Sequence, residues 1–280
     1  MKHIEKCLSL CASREAMLLR DAVDAALRAG AILREFFEQP IGIRRKGEID
    51  LVTEADLMSE KAVIAILRET TPAATILAEE SASSYSGVPD GPAWIIDPLD
   101  GTTNFAHSYP WFAVSIAYLE TGIPILGVIY APAMDELFYV CRGAGAWLNG
   151  RRLLVSGAKT LNESLLATGF PYDIRQHHEK VLAALGKVIT RVQGVRRCGS
   201  AALDLACVAS GRLDGFWEIK LKPWDTAAGQ LLVEEAGGTV TDFQGRPYSS
   251  FIPEVTATNG IIHSELLGLL AEFGNGPFTR

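Results

Sequence analysis

The chain lacks what would suit it to long polyanions, to a bilayer or to a disulfide framework. Lys and Arg number 26 against 33 Asp and Glu, a net of −7, so no general basic field is available to hold a nucleic-acid backbone. Nucleic acid is therefore not expected as a partner, and a small anion would need local cations to draw it in. No apolar run approaches the ~20 residues a spanning helix needs. The early apolar stretch from Cys7 to Ala12 follows Glu5 and is too short for a signal segment. The 5 cysteines, Cys7, Cys11, Cys141, Cys198 and Cys207, are an odd number without a CxxC pair or a Cys/His zinc spacing. The expectation is a cytoplasmic protein with no membrane partner. Repeats, low-complexity segments and long linkers are also absent, which excludes solenoids and tethered modules.

What is present is a globular composition, 48% hydrophobic over 280 residues, with room for about two domains of ~150 residues or one layered body. Leu19, Val23, Ala26, Leu27, Leu33 and Phe37 recur at helical spacing between Ser13 and Gln39, and Pro40 ends the run. After Arg44-Arg45-Lys46 a short strand is expected over Ile49 to Val52. Thr53-Glu54-Ala55-Asp56 then opens a helix that reaches Thr70, before Pro72. Ile76 to Ala78 and Ala93 to Ile96 are expected as buried strands that stop at carboxylates, Glu79-Glu80 and Asp97. Residues 111 to 119, 125 to 131, 136 to 141 and 145 to 154 form an antiparallel meander punctuated by Gly122, Pro132 and Asn149-Gly150. Beyond residue 155 strands at 164 to 169, 194 to 198, 214 to 220 and 255 to 258 alternate with helices at 176 to 191, 200 to 210, 224 to 236 and 263 to 273. Residues 1–154 and 155–280 are thus two parts, α+β and α/β, packing as layers of one α/β body.

The chemistry concentrates in Asp97-Pro98-Leu99-Asp100-Gly101-Thr102-Thr103-Asn104-Phe105. Pro98 holds Asp97 extended and Asp100-Gly101 favours a turn, so both carboxylates can point to one side of a strand-end loop. Such oxygens suit a hard cation, Mg²⁺ rather than a metal that wants imidazole or thiolate. Gly101, Thr102 and Thr103 are placed to open a short helix whose free N–H groups attract phosphate. Taken singly, these acids have bland alternatives. The nonapeptide reads also as an Asp-Gly turn with a capping Thr or Asn, Asp225 as a first-turn acid after Pro223, Glu79 as a solvated loop acid, and Asp56 as the partner of Thr53 in a capping box. Other phosphate-handling signatures are missing. No Cys-x5-Arg loop or Asp-x-Asp pair occurs, Gly157-Ala158-Lys159-Thr160 lacks P-loop spacing, and Gly143-Ala144-Gly145 reads as a turn. His107, His177, His178 and His263 have no ligand spacing and read as surface or helix-capping residues.

The nonapeptide resembles the first signature of the inositol monophosphatase family of Mg²⁺-dependent, lithium-sensitive phosphatases, and Trp224-Asp225-Thr226-Ala227-Ala228-Gly229 resembles its second. The segments from Arg197 to Ala206 and from Gly211 to Glu218 resemble its substrate-side segments, especially in the bacterial branch, and Gly169-Phe170-Pro171-Tyr172 fits too. The likeness runs from about residue 13 to 270 in the right order. It implies an αβαβα sandwich of the sugar-phosphatase type and hydrolysis by direct attack of water with two or three Mg²⁺. It also implies a homodimer, with a small phosphorylated polyol or sugar as substrate.

Position by position, the resemblance makes Glu79, Asp97, Asp100, Asp225 and the Leu99 carbonyl the metal ligands. It makes Asp56 and Thr102, with Glu79, the groups that handle the attacking water, and it places Glu80 beside the metal's water shell. It puts Gly199, Ser200, Ala201 and Glu218 on the substrate's hydroxyls, with Asp100, Gly101, Thr102 and Asp225 also on the substrate. Cys198 departs from the small or hydroxyl residue many relatives carry. Four converging carboxylates without cations would be costly: two like charges ~4 Å apart repel by about 4 kcal/mol at an effective dielectric of 20. Fructose-1,6-bisphosphate, histidinol phosphate or adenosine 3′,5′-bisphosphate would use the same chemistry. Thr103-Asn104, in place of the Lys-Glu common in nucleotide-bisphosphatase relatives, favours inositol phosphate. A regulatory interaction module on the same scaffold is the alternative of another class.

Overall fold

In a computed structural model of the protein, residues 4–39, 43–45, 51–81 and 87–274 are described. The N-terminal part begins with α1 (Glu5–Leu8) and α2 (Ser13–Phe36), then β1 (Ile43–Arg45), β2 (Leu51–Thr53), α3 (Glu54–Thr70), β3 (Thr75–Ala78), β4 (Ala93–Asp100) and α4 (Thr102–Ala106). The meander follows as β5 (Ala113–Glu120), β6 (Ile123–Ala131), β7 (Glu136–Cys141), β8 (Gly145–Leu148) and β9 (Arg151–Arg152). The C-terminal part comprises β10 (Leu165–Thr168), α5 (Ile174–Ile189), β11 (Gly194–Arg196), α6 (Ala201–Ala209), β12 (Gly215–Ile219), α7 (Pro223–Glu235), β13 (Thr239–Thr241), β14 (Glu254–Thr258) and α8 (His263–Leu270).

Strands β3 to β9 form a seven-stranded sheet in chain order, parallel only between β3 and β4. The second sheet has the order β11-β10-β12-β14-β13, parallel around β10 and antiparallel around β14. Helices α2 and α3 pack on one face of the large sheet; α6 and α7 lie between the two sheets, and α5 and α8 cover the outer face of the smaller one. That is the αβαβα layering. The large sheet needs apolar side chains on both faces because helices cover both, and every residue of β4 from Ala93 to Asp100 is buried. On α2 the buried stripe Leu18, Leu19, Ala22, Val23, Ala26 and Leu33 presents the helical repeat to that sheet. Among the described residues no helix is long and apolar enough to cross a membrane.

Two expectations need correction. Strand β4 does not stop at Asp97 but runs to Asp100, which pairs with Ala113 beyond a register shift. Pro98 lacks the N–H that a ladder needs, and it sits at that irregularity, where a sheet tolerates proline. His263 is buried rather than on the surface. Its two ring nitrogens lie 2.9 Å from the hydroxyls of Thr241 and Thr258, and burial lowers its pKa. The strand β13 and the helix α1 had no expected counterpart. Within the strand expected at Ile49 to Val52, Ile49 and Asp50 lie outside the described residues, as does Lys46 of the preceding basic stretch.

Candidate active site

The ends of β3, β4, α4, β12, α6 and α7 meet around one cavity of about 580 Å³. Its wall includes Glu79, Asp97, Leu99, Asp100, Gly101, Thr102, Gly199, Ser200, Ala201, Glu218 and Asp225. Of the expected site residues all but Asp56 and Glu80 therefore line one space, and Asp56 stands directly behind Thr102. That volume is within the ~300–1,000 Å³ usual for small-molecule sites.

Each acid is held by its own local structure. Asp97 is buried and its Oδ1 accepts from the Leu99 N–H at 3.0 Å. Asp100, at the end of the strand, reaches across to the start of α6, where its Oδ2 accepts from Ser200 Oγ at 2.5 Å and from the Ala202 N–H at 2.8 Å. Asp225 is the third residue of α7 and its Oδ2 accepts from the Lys222 N–H at 2.6 Å, with Pro223 setting the first turn. Glu79 follows β3, tied by its N–H to the Ile96 carbonyl at 3.1 Å. At Gly101 the backbone has φ +90°, which a side chain rarely adopts, and a Cβ there would stand 2.9 Å from the Trp111 carbonyl. This turn carries the chain from Asp100 straight into Thr102.

Asp56 serves two ends. Its Oδ2 accepts from the Thr53 N–H at 2.8 Å and from Thr53 Oγ1 at 2.5 Å, closing the capping box of α3, while its Oδ1 accepts from Thr102 Oγ1 at 3.2 Å. The cap and the contact with Thr102 thus use different oxygens, and one carboxylate does both. The Thr102 hydroxyl also lies 3.0 Å from the Leu99 carbonyl.

Electrostatics set this wall apart. Burial first, then the charges of Glu79, Asp100 and Asp225, push Asp97 well above the usual carboxylate range. Burial, then Glu79 and Asp100, do the same to Asp225. Asp100 rises only to about 6, because burial is opposed by the hydrogen bonds from Ser200 and the backbone at the start of α6. The donor set is all oxygen, and its members raise one another's proton affinity, so a hard cation would relieve a strain already present. Among the described residues no three His, Cys, Asp or Glu side chains close on a single point. An ion here would be held by one or two of these carboxylates and complete its shell with water and phosphate oxygens. That is how Mg²⁺ is usually bound, so the residues fit it.

The lining around Glu218 is polar without being a cation trap. Glu218 on β12 is buried, and its carboxylate rests over Gly169, where an added Cβ would stand 2.0 Å from Oε2. Burial foremost, then Asp204, pushes Glu218 up to about 8, with Arg197 pulling the other way. Asn104 clamps this wall to α4 by donating to the carbonyls of Trp111 at 2.7 Å and Cys198 at 2.9 Å. Cys198 itself does not line the cavity, and neither does Glu80, whose N–H bonds Glu60.

The sequence reading missed Asp204, Arg197 and Lys220 as wall residues. Asp204 is buried with Oδ1 unpartnered, Arg197 lies over the Phe170 ring at 5.3 Å, and Lys220 pairs with Asp173. Asp204 and Arg197 sit inside segments already singled out, but a helical acid and a strand-end cation carry no mark of their own.

A cavity lined by Glu79, Asp97, Asp100, Asp225 and Glu218, with Asp56 bonded to Thr102 behind it, is the kind of site a phosphomonoesterase uses. The inositol monophosphatase family model matches residues 16–273. The inositol-1-monophosphatase of Mesorhizobium japonicum is 47% identical over 252 residues, covering 89% of this chain and 94% of its own length. The Nus factor SuhB of Escherichia coli is 47% identical over 230 residues, covering 81% and 86%. The structure of inositol monophosphatase from Anabaena (Nostoc) superposes with a TM-score of 0.83 at 45% identity, covering 91% of this chain and 96% of that one. The chain belongs to the inositol monophosphatase family, and it is a phosphatase.

Proposed function

We propose that this protein hydrolyses inositol monophosphate, or a closely similar phosphorylated polyol, with two or three Mg²⁺ as cofactor. The observation that carries the reading is that Glu79, Asp97, Asp100, Asp225 and Glu218 all line one cavity. Glu79, Asp97, Asp100, Asp225 and the Leu99 carbonyl hold the ions. When bound, Mg²⁺ lowers the pKa of water, offsets phosphate charge and stabilises the leaving alkoxide. Asp56 Oδ1 and Thr102 Oγ1 orient the attacking water and accept its proton, with Glu79 on the same side, while the backbone N–H groups of Gly101 and Thr102 face the phosphate. Glu218, with Gly199, Ser200 and Ala201, reads the ring hydroxyls, and Asp100 couples the two functions because it also anchors the start of α6.

The two parts, residues 1–154 and 155–280, act as one body with the site at their seam. The working form is a cytoplasmic homodimer. A panel of phosphate monoesters, assayed for phosphate release with and without Mg²⁺ and Li⁺, tests the reading. Inositol monophosphate should lead the panel, and a preference for fructose-1,6-bisphosphate, histidinol phosphate or adenosine 3′,5′-bisphosphate would reassign the substrate. The likeness to the E. coli Nus factor SuhB favours a second role, as a protein-interaction partner on the same scaffold. Variants without turnover that still bind such a partner would separate the two.

A further inference from the structure

One carboxylate of the cavity has no task in the reaction so far. Asp204 lies in the first turn of α6, on the helix face that carries Ser200 and Ala201, because residues three and four apart stack on one side of a helix. All three line the cavity. Asp204 is 1% exposed, and its Oδ1 is buried without a hydrogen-bond partner. Buried polar atoms are nearly always paired, so an orphan that borders an open cavity points to a partner that arrives with the ligand. Asp173 also lines the cavity with one orphaned oxygen, but it is partly exposed and its other oxygen pairs with Lys220.

Local structure does not occupy this acid. The start of α6 is capped by Ser200, whose hydroxyl accepts from the Leu203 N–H at 3.3 Å, and Asp100 takes both the Ser200 hydroxyl proton and the Ala202 N–H. Asp204 gives its own N–H to the Ser200 carbonyl at 3.0 Å, and its carboxylate takes none of the donors at the helix start. In this it differs from Asp56 and Asp225, each of which caps a helix. Arg197, another lining residue, lies over the Phe170 ring at 5.3 Å rather than in a salt bridge with Asp204. The helix and the neighbouring cation thus leave Oδ1 facing the cavity unanswered.

A phosphate group brings acceptors and negative charge, so it cannot serve a carboxylate without a cation between them. An uncharged hydroxyl can. Burial raises Asp204 well above the usual carboxylate range, Asp100 adds to this and Arg197 opposes it, so the acid is held toward its neutral form, which both donates to and accepts from a hydroxyl. We propose that Asp204 is a specificity-determining residue whose Oδ1 takes a ring hydroxyl of the substrate, a different one from the hydroxyl read by Glu218. Asp204 thereby adds a second acid to ring recognition, which presupposes the polyol-phosphatase reading of the cavity. Two buried acids on separate elements, α6 and β12, suit a monoester with hydroxyls at more than one ring position, a cyclitol or a sugar, over an aryl or simple alkyl phosphate.

The test measures kcat/KM of the full chain, Asp204→Ala and Asp204→Asn on inositol monophosphate, its monodeoxy analogues and p-nitrophenyl phosphate, which has no ring hydroxyl to read. Asp204→Ala should lower the ratio of inositol monophosphate to p-nitrophenyl phosphate by roughly 5- to 150-fold, the scale of one polar contact. Asp204→Asn keeps an acceptor at Oδ1 and should recover most of that ratio. One deoxy analogue should lose the same factor with wild type and little more with Asp204→Ala, which identifies the hydroxyl. The wild-type series needs no variant to fold: removal of either of two different hydroxyls should be costly. If another hydroxylated monoester replaces inositol monophosphate as the best substrate, the proposed substrate fails while the same ratios on that ester still decide the role of Asp204. Absence of turnover on every monoester would defeat the function and this role together. An unchanged ratio in Asp204→Ala, an asparagine variant as impaired as the alanine one, or a wild-type series in which at most one hydroxyl matters would each overturn the proposal.

Discussion

Gly169 is where a small change should reach substrate recognition without touching the metal wall. An alanine Cβ there would stand 2.0 Å from Glu218 Oε2 and 2.2 Å from the carboxyl carbon, so the carboxylate must leave its seat. If Glu218 reads a substrate hydroxyl from that seat, Gly169→Ala forfeits one polar contact to a charged or neutral acid, ~1–3 kcal/mol, or roughly 5- to 150-fold in kcat/KM. The loss should fall mainly on KM, because the contact is made in both ground and transition states. Overpacking at this spot would also destabilise the fold by ~1–3 kcal/mol, which thermal unfolding reads separately. The double-mutant cycle with Glu218→Ala isolates the mechanism: with the carboxylate gone, Gly169→Ala should cost little more. Additive penalties, or unchanged kinetics in the single variant, would refute the reasoning.

If the hydroxyl 3.2 Å from Asp56 Oδ1 orients water as proposed, Thr102→Ala should lower kcat for every substrate by a similar factor; a substrate-dependent loss would assign Thr102 to recognition instead. Lithium should inhibit turnover and excess substrate should not restore it, a pattern that steady-state kinetics distinguishes from competition. Without metal, stability should fall as pH rises. The folded pKa of Glu218, about 8, lies above its ordinary 4.5, so its contribution is complete below the lower value and lost through the higher one. Denaturation midpoints in chelator should therefore decline less steeply across that window in Glu218→Gln than in the wild type.

The candidate site was legible through the family resemblance, while local rules showed only that its acids sit at points where the sequence changes character. Asp97 and Asp100 end an apolar run, Glu79 ends another, and Asp225 follows a proline at a helix start, so local rules place each carboxylate at an element boundary. Local rules also gave each acid a structural alternative, and for Asp56 and Asp225 that alternative is present: one oxygen of each carboxylate caps its helix, and at Asp56 the other accepts from Thr102. The continuation of β4 through Pro98 was not legible, because it depends on pairing with Ala113 across a register shift. The burial of His263 depends on hydroxyls from β13 and β14. Each of these is a tertiary contact, invisible to spacing.

The most direct test of the account is phosphate release from inositol monophosphate as Mg²⁺ is titrated into chelator-treated wild type, Asp97→Asn and Asp225→Asn. Wild-type turnover should depend on the metal, and both variants should be almost inactive at any Mg²⁺ concentration while melting no lower than wild type in chelator, since each removes a buried, mutually repelled carboxylate. Metal-independent turnover, or near wild-type activity in both variants, would contradict it.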